Sequence, residues 1–228
     1  MRTYTLKQRI LFAFTGIIVF LGICILGLGF YVIKKDIIER AQARVIRSLD
    51  SARFFYEEEI NRIGESLSIA DLQNSSAALK RQLRLDYFYF IDVAEALVSP
   101  SEIVRAAAER GQPLGGTRII GPAELATMDT DVRPIEIEDT PKAKPTDRTV
   151  LQSVMSKEFA LPIEGGDGRI ERVAYAGRIV NRDYVLVDRI RKLVFGDELY
   201  RDKPFGTVTI FQDDVRISTN VLNEAGRR

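Results

Sequence analysis

From Ile10 to Ile33 the chain reads ILFAFTGIIVFLGICILGLGFYVI, 24 residues without a charge. As a helix rising about 1.5 Å per residue, this run is about 36 Å long. That exceeds the roughly 30 Å hydrocarbon core of a bilayer, so it can span one with some tilt. A buried core helix is the other way to hide such a run. Core helices seldom exceed about 18 apolar residues without a polar face, so a membrane span is expected. Everything after it is then read as a domain held at a membrane.

The run does not read as a cleaved signal peptide. Met1–Arg9 is basic, as such a peptide requires, but Tyr31-Val32-Ile33-Lys34 is too bulky for a small-x-small cleavage site. Ile23 before Cys24 is wrong for a lipoprotein site. Gly16, Gly22, Gly27 and Gly29 form no Gly-xxx-Gly pair, so the span carries no strong dimerisation face. An uncleaved anchor is expected. Lys and Arg flank both ends, and long domains translocate largely regardless of charge, so the flanks do not fix its orientation.

The other 190 or so residues suffice for one ordinary domain or two small ones. A net charge of +1 gives no nucleic-acid surface. The one cysteine lies in the span, so there is no disulfide framework and no zinc-type cysteine cluster. There is no histidine. That removes most metal sites, the Ser–His and Cys–His nucleophilic pairs and the usual general acid–base group. No paired-carboxylate motif stands out, and Gly165-Gly166-Asp167-Gly168 lacks the Lys-Ser/Thr of a phosphate loop, so it reads as a turn. No enzyme activity, metal or cofactor is expected of this chain.

From Lys34 to about Ile69 the apolar residues recur at three- and four-residue steps: Ile38, Ala41, Val45, Leu49, Ala52, Tyr56, Ile60, Ile63, Leu67. This predicts a stalk helix continuing the span. Its stripe either faces the core or forms a near-heptad homodimer seam, and a long helix can do both at different ends. Gly64 is expected to loosen it.

Beyond a polar turn at 71–76, a short helix is expected at Ser76–Leu85 and an aromatic strand at Asp86–Val93. A helix capped by Ser101 and ended by Gly111 should follow, then a third opening at Gly121-Pro122. Asp129–Thr149, with its three prolines, is either a functional flap or a mobile excursion, and with no special residues in it the excursion is expected. Val154–Ile163 and Ile170–Val180 flank the glycine-rich turn as a hairpin. Asp183–Phe195 has helical spacing, and Gly206–Gln212 and Val215–Val221 read as two last strands. A lone hairpin is unstable, so these must join the preceding sheet or begin a domain that continues past the chain.

The C-terminal stretch resembles a known family. Gly177, Asn181, Arg182 and Tyr184 match the first part of its pattern, and Val187, Asp188, Ile190 and Arg191 the second. Gly206, Thr207, Thr209, Ile210 and Phe211 follow, then Asp214 through Val221. In these residues the chain is similar to the double-Cache (PAS-like) extracytoplasmic sensor regions of bacterial sensor histidine kinases and methyl-accepting chemoreceptors. The likeness is closest over 175–228 and looser, but in order, over 34–174.

The resemblance implies an α+β fold. Residues 1–9 would be cytoplasmic, 10–33 the transmembrane helix of a bacterial inner membrane and 34–69 the stalk. A membrane-distal PAS-like subdomain would cover 41–198, with an antiparallel sheet and helices. A truncated second PAS-like subdomain would begin at 199–228, outside the cytoplasm. The chain is then expected to be the N-terminal piece of a receptor, somewhat more in the manner of a histidine kinase than of a chemoreceptor. Its expected partners are the membrane, an unidentified small molecule and a second copy through the stalk. A membrane-tethered adaptor without a ligand is the alternative.

Tyr89, Tyr175 and Arg178 are candidate ligand residues, because their strands could face a pocket where an inward arginine would hold a carboxylate. Packing at the sheet surface is the plainer role for all three. Arg216, Ser218, Thr219 and Asn220 stand out only through the family pattern. Strand and turn chemistry would also account for them.

Overall fold

The computed structural model describes residues 6–137, 147–197, 199–200, 203–222, 226 and 228. Residues 1–5, the middle of the expected excursion (138–146), residues 198, 201 and 202, and residues 223–225 and 227 of the tail lie outside them. The chain is α+β and divides into a unit ending at Asp50 and a unit from Ser51 to Arg228. Helix α1 (Leu6–Ser68) contributes residues to both.

In the first unit, the large apolar side chains from Phe14 to Ile33 are all exposed, Leu26 the most at 75 %. The most apolar 18-residue window has a mean hydropathy of 2.6, and none of it is buried. The helix is thus long and apolar enough to cross a membrane. Past the apolar run it carries i,i+4 pairs of opposite charge, Asp36–Arg40 at 2.9 Å and Lys35–Glu39 at 3.7 Å. Such exposed pairs favour helix by a few tenths of a kcal/mol. Val45 and Leu49 are both about two-thirds exposed.

The second unit is built on an antiparallel sheet. After α2 (Ser76–Gln82) come β1 (Tyr87–Asp92), α3 (Val93–Ala96), α4 (Glu102–Arg110), β2 (Leu114–Ile120) and α5 (Pro122–Leu125). Two short strands, β3 (Ile135–Glu136) and β4 (Val150–Leu151), pair with each other. The long hairpin β5 (Val154–Glu164) and β6 (Ile170–Ile179) leads into α6 (Tyr184–Phe195). Short β7 (Leu199–Tyr200) and β8 (Lys203–Pro204) and the hairpin β9 (Thr209–Gln212) and β10 (Val215–Thr219) finish the chain. The four-stranded sheet has the order β1-β6-β5-β2, antiparallel throughout.

Strand alternation divides this sheet into two faces. Tyr87, Val173, Tyr175, Ile179 and Ala160 turn one way, against Ala96 of α3 and Val104, Ala107 and Ala108 of α4. Phe88, Ala174, Ala176 and Phe159 turn the other way, against Ile63 and Leu67 of α1 and Leu79 of α2. The apolar stripe within 51–68 therefore faces its own core. Gly64, expected to loosen the stalk, stands inside the unbroken α1, where a Cβ would strike the Phe159 ring. The bare position lets the helix close onto the sheet.

The last hairpin does not join the four-stranded sheet; it is a separate two-stranded one. Val215 and Ile217 bury with Leu186 and Ile190 of α6 and with Val180, and Phe55 and Tyr56 of α1 pack against the same cluster. An isolated hairpin gains its covering layer there.

Candidate functional site

Two polar features interrupt the apolar packing, and local chemistry builds both. The first lies under α4 and α5. β5 turns Ser156 and Glu158 inward, where alternation alone calls for apolar residues, and Glu158 is 0 % exposed. Its carboxylate accepts from Tyr87 Oη at 2.7 Å, Ser101 Oγ at 3.2 Å and Arg118 Nε at 3.1 Å. Ser101 Oγ also accepts from the Val104 N–H, capping α4. Arg118 turns its other edge to Glu124 of α5, with two bonds of 2.8 and 2.7 Å, and donates to Tyr175 Oη at 3.1 Å. Tyr87 crosses β6 at Gly177, where a Cβ would strike its ring.

A charge without water must be paired and hydrogen-bonded, and these groups are. Burial pushes the Arg118 guanidinium down, but the Glu124 bonds and the negative groups beside it more than offset this and raise it. Burial and the Glu158 charge raise the Tyr175 phenol. Burial also raises Tyr87, with Tyr175 and Glu158 adding to it. The cluster fastens α4 and α5 to the sheet.

The second feature is an open cleft of about 490 Å³ at the end of the sheet. Arg84 and Asp86 enter it from the turn before β1, and Arg178 and Ile179 from the end of β6. Asn181, Arg182 and Asp183 enter from the turn into α6, and Asp131, Val132 and Arg133 from the segment after α5. That segment is tied down on both sides. Lys80 Nζ donates to Asp129 O at 2.6 Å, the Asp129 N–H donates to Tyr89 Oη, and Arg182 donates to Pro134 O at 3.1 Å.

Charge in the cleft is poorly compensated. Among the described residues, none of Arg84, Arg133, Arg178 and Arg182 is in a salt bridge, and Nε of Arg178 is buried without a partner. Arg178 does donate to Leu83 O at 2.9 Å. Asp183 caps α6 through Leu186 N and lies 3.6 Å from the buried Lys157 Nζ. Burial pushes that ammonium down; Asp183 and Glu59 push it up, and Arg178 adds to the fall. Asp86, exposed as a residue, turns its carboxylate inward to accept from Ile179 N at 2.6 Å. Its carboxyl is raised, by desolvation first, against the pull of that N–H and of Arg178.

The backbone is strained at the same place. Arg84 (φ 54°) and Arg182 (φ 63°) adopt the left-handed conformation, which a side chain disfavours. Arg84 ends α2 there, with Leu85 N bonded to Lys80 O.

The candidate residues fall into separate places. Tyr89 and Tyr175 share a face, their rings 6.4 Å apart between centroids, while Arg178 lies by alternation on the other face and at the cleft. Asn181 and Arg182 join Arg178 there, and Asn181 also accepts from Met155 N at 2.9 Å. Tyr184 and Asp188 instead meet Arg228, by a bond to its carbonyl and a 2.7 Å salt bridge. Arg216 is exposed on β10, and Ser218 is buried with an unpartnered hydroxyl. Thr219 bonds Thr209 at 2.9 Å and Asn220 accepts from Val208 N at 2.8 Å, so both tie the last hairpin together.

Sequence reading passed over Glu158, Arg118, Glu124, Arg84, Asp86 and Arg133. A signal existed for Glu158: an acid at an inward position of an alternating strand. The others, far apart in sequence, meet only through the fold. Among the described residues no acidic, histidine or cysteine group is arranged to hold a metal ion. No protein-family model matches the chain, and no curated protein or solved structure matches it either.

Proposed function

We propose that the chain is the membrane-anchored, extracytoplasmic sensor segment of a bacterial signalling receptor, of the double-Cache (PAS-like) kind. One observation carries the reading. A long helix whose large apolar side chains from Phe14 to Ile33 are all exposed is followed by a folded α+β unit with a charged cleft. Such a run needs a bilayer to cover it. An α+β unit with an antiparallel sheet and helices is the coarse fold the motif resemblance implies, and three residues of the candidate set line the cleft.

In this reading a small molecule enters the cleft, and the change it causes passes to α1 and so to the membrane. The ligand can do this only by binding one arrangement better than another. Two copies pair through the exposed part of the stalk. The test is thermal unfolding of the full chain in detergent micelles, titrated with organic acids, amino acids and amines. A saturable rise in Tm with one class supports a ligand-binding sensor. Silence across all three contradicts it and favours an adaptor.

A further inference from the structure

We propose that the cleft between the α2–β1 turn, the end of β6 and residues 131–133 binds a small dianion, held by the guanidinium groups of Arg84, Arg133, Arg178 and Arg182. This rests on the sensor reading and names the class of its ligand.

Three observations converge on the cleft. The first is charge. Four arginines face it against three aspartates, and Asp183 is committed to the α6 cap and to Lys157. Four less the remaining two leaves two uncompensated positive charges, which a dianion neutralises. The second is donor supply. Arg84 and Arg133 make no side-chain hydrogen bond or ion pair among the described residues, and Arg178 keeps an unpartnered Nε. Guanidinium forks suit carboxylate and phosphate oxygens, which take two parallel N–H bonds from one arginine.

The third is backbone strain. Arg84 and Arg182 hold the left-handed conformation, where glycine would be easier, at a cost of order 1 kcal/mol each. Two of the three non-glycine residues with positive φ among those described line this one cleft, and both are arginines. Turn geometry explains the conformation, but a turn by itself would favour glycine. The space, about 490 Å³, is within the range for small metabolites.

The cleft also has a wall that occupancy would tighten. Residues 131–133 lie between the Asp129 tethers to Lys80 and Tyr89 and the Arg182 bond to Pro134. A dianion bridging Arg133 to Arg84 and Arg178 would tie this segment directly to the sheet.

The experiment uses the full chain in detergent micelles, with succinate and inorganic phosphate as probes and sodium chloride at matched ionic strength as control. Glycine and putrescine test the alternatives. Saturable binding by calorimetry and a rise in Tm are expected with one or both dianions. Which of them acts separates a carboxylate from a phosphate source. Arg84→Gln and Arg133→Gln should each weaken binding about tenfold or more while leaving the unliganded Tm unchanged, since neither side chain has a partner to lose. No binding of either dianion, equal binding by the variants, or a response to putrescine that Asp131→Asn abolishes would overturn the proposal. A response to glycine or putrescine alone removes the dianion and leaves the sensor reading standing. Silence with every class of compound removes both.

Discussion

Arg118 and Glu158 meet on the face of the sheet that α3 and α4 cover, Nε 3.1 Å from each carboxylate oxygen, with Glu158 fully buried. Removing one partner of a buried pair leaves the other charge desolvated and alone, which costs about 3–5 kcal/mol. Arg118→Leu should therefore lower the Tm of the full chain steeply. Glu124→Gln keeps the central pair and changes a carboxylate still partly in water, so its cost should be about 1 kcal/mol or less. Equal losses in the two variants would show that the pair is not the centre of the network.

Gly64 opposes helix propensity to steric closeness. Alanine in a helix is favoured over glycine by about 1 kcal/mol. A Cβ at 64, however, meets the Phe159 ring, and overpacking costs about 1–3 kcal/mol. Gly64→Ala should destabilise, and Phe159→Leu in the same chain should recover part of the loss. A stabilised Gly64→Ala would mean that the helix stands off the sheet.

Asp86 gives a pH signature. Its carboxyl in the folded chain lies above the ordinary 3.8. The stability tied to its proton is fully present below that value and is lost as pH rises through the raised one, because the folded state binds more protons there. Asp86→Asn cannot lose that proton. The Tm of the variant relative to the native chain should rise as the pH climbs from below 3.8 through the raised value. A difference that stays constant with pH would remove the desolvated carboxylate from the account.

The first-unit stripe tests the pairing of two copies. Val45 is 66 % exposed on a helix with no covering partner in its own unit. In a Cys24→Ser background, Val45→Cys in membranes should yield a disulfide-linked dimer on mild oxidation. Monomer alone across Ala41→Cys, Val45→Cys and Leu49→Cys would exclude this seam.

Much of the local structure was legible because local chemistry fixes it. Ser101 caps α4 and Gly111 ends it at φ 65°; Asp183 caps α6 and Gly196 closes it. The β5–β6 hairpin follows from two alternating runs around a glycine turn. Strand β2 was not legible. Gly115 and Gly116 weaken its signal, yet Ile60, Phe159 and Ile103 leave no room for a side chain there, and Arg118 looks out of place until Glu158 is known to face it. The helical stripe was legible, but its two destinations were not. Ile63 and Leu67 bury in the chain's own core, while Val45 and Leu49 do not. The cleft was the least legible, because Arg84, Arg133 and Arg178 come from three separate parts of the chain and have no common spacing.

The proposed sensor stands outside the cytoplasm on a membrane helix. Val98, 80 % exposed in the second unit, gives direct access to it. In the Cys24→Ser background, Val98→Cys is treated with a membrane-impermeant maleimide on intact bacteria and again after permeabilisation. Full labelling in intact cells is predicted. Labelling only after permeabilisation would place the folded unit in the cytoplasm and contradict the account.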